Sequence, residues 1–155
     1  MKNLYGFTKD ELEHYFVSIG EKKYKATQVF EWLYIHNEQN IWNFSNIKKD
    51  VLIKMLTEFT TDFIKIEKVL KGPDVKKFLF RLLDGEKIEA VLMEHNYGLS
   101  VCVSSQVGCN MGCRFCESGR LKKVRNLDAY EIVEQILLIQ NYIKKKVNSV
   151  VIMGI

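Results

Sequence analysis

The sequence predicts an α/β protein whose N-terminal part is α+β, and three features of its apolar pattern predict this class. Apolar residues in the first sixty positions recur at helical spacing. Residues 61–105 alternate with a period of two between turn signals. Beyond residue 116 an apolar helix leads into a second apolar strand, which is typical of the first βαβ unit of a parallel sheet or barrel.

The first segment, residues 1–60, is predicted to be a helical domain. Thr8 and Glu11 have the spacing of a capping box at a helix start, and Gly20 can end that helix. Two further helices are expected over Lys25–His36 and Lys48–Phe59. Helical spacing favours a core role over a nucleic-acid stacking surface for the inward positions, which are Leu12, Phe16, Ile19, Val29, Phe30, Leu33, Leu52, Met55, Leu56 and Phe59.

The second segment, residues 61–97, is predicted to form a small antiparallel sheet. Its first strand is expected over Phe63–Lys71 and is followed by the turn signal Gly72-Pro73-Asp74. Inward positions alternate on both sides of the hairpin turn Asp84-Gly85, namely Phe78, Phe80, Leu82, Ile88, Ala90 and Leu92. A last strand, Leu99–Ser105, leads into a group of cysteines.

The third segment, residues 98–155, is predicted to open a parallel α/β structure. Asp128 is a plausible N-cap for a helix that runs to about Lys145. Asn148–Ile155 has the apolar composition of a buried strand. Two parallel strands with one covering helix cannot bury their own faces, so the 155 residues are expected to be the N-terminal part of a longer protein.

Charge and hydropathy limit the function classes only weakly. The chain has 23 Lys and Arg against 19 Asp and Glu, and this mild excess permits a nucleic-acid partner without requiring one. No apolar run approaches the roughly 20 residues that span a bilayer, and residues 1–20 lack a signal-peptide core. A cytoplasmic protein without membrane contact is therefore predicted. In that compartment clustered cysteines indicate metal or redox chemistry before structural disulfides.

The most informative feature is the cysteine group, in which Cys109, Cys113 and Cys116 have C-x3-C-x2-C spacing. Three thiolates on one loop can bind three irons of a four-iron cluster and leave the fourth iron open. The open iron can be chelated by the amino and carboxylate groups of S-adenosylmethionine. The alternatives are a four-thiolate zinc site that includes Cys102, or unligated buried cysteines. Zinc sites usually have two C-x2-C pairs, and the single pair here favours the cluster.

The residues around the cysteines carry a specific resemblance. Cys102-Val-Ser-Ser-Gln-Val-Gly-Cys109-Asn-Met-Gly-Cys113-Arg-Phe-Cys116 closely resembles the radical S-adenosylmethionine RNA methyltransferases of the RlmN/Cfr family. Further matching segments are Lys77-Phe-Leu-Phe-Arg-Leu82, Asp84-Gly85, Ile88-Glu-Ala-Val91, Lys123-Val-Arg-Asn-Leu127, Glu131-Ile-Val-Glu-Gln135 and Val151-Ile-Met-Gly154. The resemblance implies a helical accessory domain (1–60), a small antiparallel sheet (61–97) and the start of a radical S-adenosylmethionine partial (β/α)6 barrel, truncated here (98–155).

The resemblance also implies roles for individual residues. Cys109, Cys113 and Cys116 match the ligands of a [4Fe-4S] cluster that binds S-adenosylmethionine. In the family one S-adenosylmethionine methylates a cysteine, and a radical made from a second converts that methyl group into a carbon radical that adds to the base. Glu89 matches the family's proton acceptor, and Cys102 matches the cysteine that resolves the protein–RNA adduct. Without the resemblance, Glu89 reads as an ordinary sheet carboxylate and Cys102 as a buried strand residue.

The implied substrates are 23S rRNA and tRNA, methylated at C2 of adenine. Val107 resembles the branch that modifies C2, since the branch that modifies C8 more often has cysteine there. An electron donor such as flavodoxin or ferredoxin, a disulfide bond and a monomeric state are also implied. Competing hypotheses are a radical enzyme of another reaction class and a zinc-stabilised RNA-binding module.

Two further expectations follow from the sequence. Basic residues after the cysteines and on the sheet either contact RNA phosphates or are solvated; they are Arg120, Lys122, Lys123, Arg125, Lys76, Lys77 and Arg81. No cysteine follows Cys116, so the family's methyl-carrying cysteine is missing, as is the glycine–glutamate segment expected after Gly154. The 155 residues alone are expected not to complete the reaction, and to bind a cluster poorly or not at all.

Overall fold

The computed structural model describes residues 1–153 and divides the chain into two compact units, Met1–Asp62 and Phe63 onward. Gly154 ends the matching segment Val151-Ile-Met-Gly154, and Ile155 ends the strand predicted over Asn148–Ile155. Both residues lie outside the described part of the chain. In the described part of the chain, no helix combines the length and the apolar character that crossing a bilayer requires.

The first unit packs helices around an apolar core. Its elements are β1 (Lys2–Asn3), α1 (Lys9–Ser18), α2 (Tyr24–Phe30), α3 (Lys49–Glu58) and β2 (Phe59–Thr60), with β1 and β2 paired in parallel. A π-helical turn, Glu31–Ile35, extends α2. The three predicted helices are therefore confirmed, with shorter bounds.

Local sequence signals account for the start of α1 and for most of the core. Thr8 Oγ1 accepts a hydrogen bond from the Glu11 N–H at 3.3 Å, and the Glu11 carboxylate accepts one from the Thr8 N–H at 2.7 Å. This reciprocal arrangement is the predicted capping box. Most predicted inward positions are buried, whereas Ile19, Phe30 and Leu56 are only partly buried.

The second unit is built on a five-stranded sheet within the described residues. Its elements are β3 (Lys65–Lys71), β4 (Val75–Arg81), β5 (Lys87–His95), β6 (Gly98–Ser104), β7 (Gln106–Val107), β8 (Arg125–Asn126), α4 (Ala129–Ile143) and β9 (Ser149–Met153). The sheet order is β3-β4-β5-β6-β9, with antiparallel pairs up to β6 and a parallel pair between β6 and β9. β7 and β8 form a separate antiparallel pair. The mixed α/β class and the βαβ crossover are confirmed.

The two faces of the sheet differ in composition because strand side chains alternate. One face, which we call the rear face, packs against α4 and holds the apolar core of the unit. That core includes Phe78, Phe80, Ile88, Ala90, Leu92, Val101, Val103 and Ile139. The opposite face, which we call the front face, carries the intervening residues of β4, β5 and β6. Most of these are at least partly exposed, whereas Ser100 and Ser104 are buried.

The burial of β9 differs from the prediction. The strand is present, but all its residues are exposed, with 43% exposure for Val150 and Val151 and 64% for Ile152. The reason is topological: β9 is an edge strand in the described part of the chain and is paired only with β6. The apolar composition of this strand predicted its type correctly. Burial of β9 needs a further element on its outer side, and the described residues supply none.

Candidate active site

The register of the sheet places Glu89 and Cys102 on the same face. Cys102 on β6 pairs with Val91 on β5 and with Val151 on β9. Directly paired residues point to one face, and Glu89 is two positions from Val91, so it points to that face as well. Residues diagonal in this way have Cα atoms about 7–8 Å apart. The front face therefore carries both residues that match the family's reactive groups.

Glu89 is held at both its side chain and its backbone. Its carboxylate lies 2.7 Å from the Lys77 ammonium, and both side chains are 45% exposed. Its carbonyl oxygen accepts a hydrogen bond from the Ser104 hydroxyl at 2.6 Å. An ion pair this exposed contributes at most about 1 kcal/mol to stability, so stability alone gives little reason for a charged pair at this position.

A cavity of about 400 Å³ connects the front face to the loop between β7 and β8. This loop carries Cys109, Cys113 and Cys116, and we call it the cysteine loop. Glu89, Lys77 and Leu79 line it from the sheet, and Glu117, Ser118 and Leu121 line it from the turn that follows Cys116. A volume of this size is within the usual range for small-ligand sites, roughly 300–1,000 Å³. The structure thus brings Glu89 and the chain just after the third cysteine to a common opening.

The cysteine loop folds back on itself through backbone contacts. The Cys109 N–H donates to the Leu121 carbonyl at 3.0 Å, and the Val124 N–H donates to the Val107 carbonyl at 2.8 Å. Gly108 has φ +70°, and a Cβ atom there would lie 1.9 Å from the Lys122 carbonyl oxygen. Only glycine permits this close approach, so Gly108 closes the base of the loop.

The donor chemistry of the loop fits an iron–sulfur cluster. Cys109, Cys113 and Cys116 are free, half-buried thiols on a segment whose ends are fixed to each other. A four-iron cluster would bind each of these cysteines through a different iron. A tetrahedral zinc would take the same thiolates with a fourth sulfur such as that of Cys102, so metal analysis has to decide between the two groups.

Cys102 is set apart from the loop cysteines by its place in the sheet. Burial raises the pKa of the Cys102 thiol, because the uncharged form is favoured away from water. The thiol is thus neutral at physiological pH and needs a base to become a nucleophile. All four cysteines are free in this structure, and the disulfide bond stays a prediction.

Arg125 anchors the chain that returns from the loop. Its guanidinium makes two hydrogen bonds of 2.7 Å to the Glu131 carboxylate and lies 2.6 Å from Asp84 Oδ2. Asp84 belongs to the β4–β5 turn, and Glu131 is a buried residue of α4 that also caps its own helix. The anchor therefore joins three parts of the unit beside the cysteine loop.

The ion pairs change the interpretation of the predicted basic residues. Arg125 is neutralised by Glu131 and Asp84, Arg81 by Glu67, and Lys77 by Glu89. These three cations are occupied within the protein. The expectation that they contact RNA phosphates is thus weakened, and the sequence missed the pairing because the partners are distant in the chain.

Arg125→Ala is expected to destabilise the second unit by about 3 kcal/mol, because it leaves the buried Glu131 charge without a partner. Arg81→Ala provides a matched control, since its pair with Glu67 is half exposed and contributes below about 1 kcal/mol. Urea denaturation of both variants measures the difference. Equal losses in the two variants would contradict a special role for Arg125.

The same anchor should weaken in acid. Burial favours a higher pKa for Asp84, but the Glu86 N–H and the Arg125 guanidinium outweigh it and hold the pKa below its usual 3.8. A lowered pKa means that Asp84 contributes stability above pH 3.8, and that this contribution is lost as the pH falls below that value. Asp84→Asn should remove this part of the acid sensitivity.

Comparison with a solved structure assigns the class of protein that the fold and the cysteine loop define. A radical SAM methyltransferase from Sphaerobacter thermophilus has the same fold, with a TM-score of 0.84 and 30% identity. The match covers 97% of this chain and 46% of that one. The chain thus has the fold of the matching part of that radical SAM methyltransferase.

Sequence comparisons identify the family. Residues 2–61 match the model of the ribosomal RNA large subunit methyltransferase N-terminal domain. Relatives named probable dual-specificity RNA methyltransferase RlmN include one from Streptococcus thermophilus, 47% identical over 99% of this chain, and one from Spiroplasma citri, 44% identical over all of it. The chain belongs to the RlmN family, a family of transferases. It spans 41% and 46% of the length of these two relatives.

Proposed function

We propose that the protein methylates C2 of adenine in 23S rRNA and tRNA by radical chemistry that uses S-adenosylmethionine. The observation that carries this proposal is the front face: Glu89 and Cys102 share it, and Glu89 opens into a cavity that the cysteine loop also lines. A base pocket needs a proton acceptor and a reactive sulfur near one ligand. On the front face Glu89 lines the cavity, and Cys102 lies diagonal to Glu89 in the sheet.

Cys109, Cys113 and Cys116 would hold a [4Fe-4S] cluster through three irons, with S-adenosylmethionine on the fourth. The cluster, when bound, supplies the electron that splits S-adenosylmethionine into a carbon radical. The chain itself contributes the positioning. Gly108 lets the loop close, and Arg125 fixes the returning strand, so the three thiols are presented from a segment with fixed ends.

Glu89 would take the proton from the substrate carbon. Its side chain is 45% exposed in this structure, and a base that enters the cavity would shield the carboxylate from solvent and make it a more effective acceptor. Lys77 would keep the carboxylate oriented towards the cavity through their 2.7 Å contact. Cys102, with its raised pKa, would remain a neutral thiol until the step that requires it.

Val107 supports C2 over C8 as the methylated atom. It is buried in β7 next to the loop, where the C8 branch more often has a cysteine. The same proposal includes a flavodoxin or ferredoxin electron donor, a cytoplasmic location, a monomeric state and a transient disulfide at Cys102. It also includes the division into an accessory domain (1–60), a small sheet (61–97) and the start of the catalytic core (98–155).

Mass analysis of RNA nucleosides tests the proposal. A strain without this gene should lose 2-methyladenosine from 23S rRNA and tRNA, and complementation with the whole gene should restore it. Loss of 8-methyladenosine instead would favour the alternative branch. Unchanged methylation at both atoms would contradict the proposal and favour a radical enzyme of another class.

A further inference from the structure

A second opening lies on the rear face of the sheet, away from the cysteine loop. It has a volume of about 220 Å³ and an apolar base formed by Leu92, Leu99 and Ile143. Lys76 and Lys145 stand at its border. Lys76 pairs with Leu92 in the sheet register, and Leu92 is buried on the side of α4, so this opening and the front-face cavity are on opposite sides of the sheet.

The cations around this opening are available to a ligand. Lys71 pairs with Lys76 across β3 and β4, and its ammonium lies 5.9 Å from the centre of the Tyr142 ring. Within the described residues, none of Lys71, Lys76 and Lys145 has a carboxylate within 4.0 Å. On the front face, by contrast, Lys77, Arg81 and Lys87 are all paired with glutamates. Glu94 is the carboxylate among the lining residues, and the surrounding charge remains positive.

An aromatic ring completes the border of the opening. Tyr142 packs edge-on against the buried Phe78, with ring centres 5.3 Å apart and planes at 88°. This contact holds the ring in place, while 41% of the residue remains exposed. A fixed aromatic surface beside free ammonium groups can contact a ribose or a base next to a bound phosphate.

We propose that this opening, bordered by Lys71, Lys76, Lys145 and Tyr142, binds the phosphodiester backbone of the RNA substrate at a distance from the reacting base. The inference rests on the proposed function, since it assumes that RNA is the substrate. Free lysines contact phosphates without reading sequence, so the surface would contribute affinity and not site selection. An acidic electron-donor protein fits the position less well, because the sheet separates this opening from the cysteine loop.

The test compares two double variants of equal net charge, both made in the protein expressed from the whole gene. Lys76→Gln with Lys145→Gln removes the two border cations, and Lys65→Gln with Lys68→Gln removes two exposed lysines of the edge strand β3. Binding of an unmodified tRNA transcript is followed by fluorescence anisotropy over a range of potassium chloride concentrations. The first variant should bind about tenfold more weakly at low salt and have a salt slope smaller by about 1 per lysine. In the control variant the salt slope should decrease by less than half as much.

Each other outcome overturns the proposal. An unchanged salt slope in the first variant would show that this surface does not bind RNA. Equal decreases in affinity and salt slope in both variants would show a general effect of charge. Slower electron transfer from flavodoxin with unchanged RNA binding assigns the surface to a protein partner. Methylation assays on the protein expressed from the whole gene separate this inference from the proposed function. The first double variant should have a higher KM and an unchanged kcat. Absence of methylation by the unaltered protein from the whole gene would contradict the proposed function and leave the RNA-binding test valid.

Discussion

Replacing Cys113 by alanine in the protein expressed from the whole gene is expected to abolish iron–sulfur loading. Two thiolates cannot hold three irons of a cluster, so the broad charge-transfer absorption that follows anaerobic reconstitution with iron and sulfide should be lost. The measurement is the visible spectrum together with iron and sulfide content. Methylation should fall to background in the same sample, because the radical chemistry requires the cluster.

Cys102→Ala is the matched control for this prediction. Cys102 lies in β6, where Val91 and Val151 flank it, and is not a member of the loop set. If the three loop cysteines hold a cluster, the Cys102→Ala variant should load iron normally and lose only methylation. A four-thiolate zinc site would need Cys102 as a ligand, so loss of metal in both variants, with one zinc per chain in the parent, would contradict the cluster.

Replacing Glu89 by glutamine is expected to lower the methylation rate by about 10²–10⁴-fold, the usual contribution of a positioned general base. The amide keeps the shape of the side chain but cannot accept the substrate proton. The Ser104 contact should survive, because it is made to the Glu89 backbone, whereas the exposed ion pair with Lys77 is lost at a cost of at most about 1 kcal/mol. Single-turnover methylation of a tRNA transcript measures the chemical step directly.

Glu67→Gln distinguishes a catalytic carboxylate from a structural one. Glu67 is also paired with cations of the sheet, Arg81 and Lys87, both at 2.6 Å, but it does not line the cavity. Its replacement should leave the methylation rate within about threefold of the parent, since exposed pairs contribute little. A comparable loss in both variants would assign the effect of Glu89 to folding and would remove its proposed role.

The sequence predicted those features that depend on neighbours in the chain. The capping box of Thr8 and Glu11 spans one helical turn, and the hairpin turn Asp84-Gly85 joins adjacent strands, so their signals are local. The three-cysteine spacing is also local. Alternation within β5 gave Glu89 its position on the polar face, because a period of two fixes the face of every residue once one is known.

Features that depend on distant parts of the chain could not be read in this way. Arg125 resembled a phosphate-binding residue, because its pairing with Glu131, six positions on, and with Asp84, 41 positions back, depends on how the returning chain folds. The common face of Glu89 and Cys102 needed the register of β5 and β6, which alternation within each strand leaves open. The exposure of β9 depends on which elements stand beside it, and composition does not report that.

The edge position of β9 matters when residues 1–155 are expressed by themselves. In that form the outer edge of β9 offers unpaired backbone groups along an apolar run, Val150–Met153, and such an edge is a template for pairing with other chains. The run contains no charge or proline that would discourage this contact. Self-association through β9 is thus the hazard to control in work on this segment, and Val150→Lys or Ile152→Lys is the change that would reduce it.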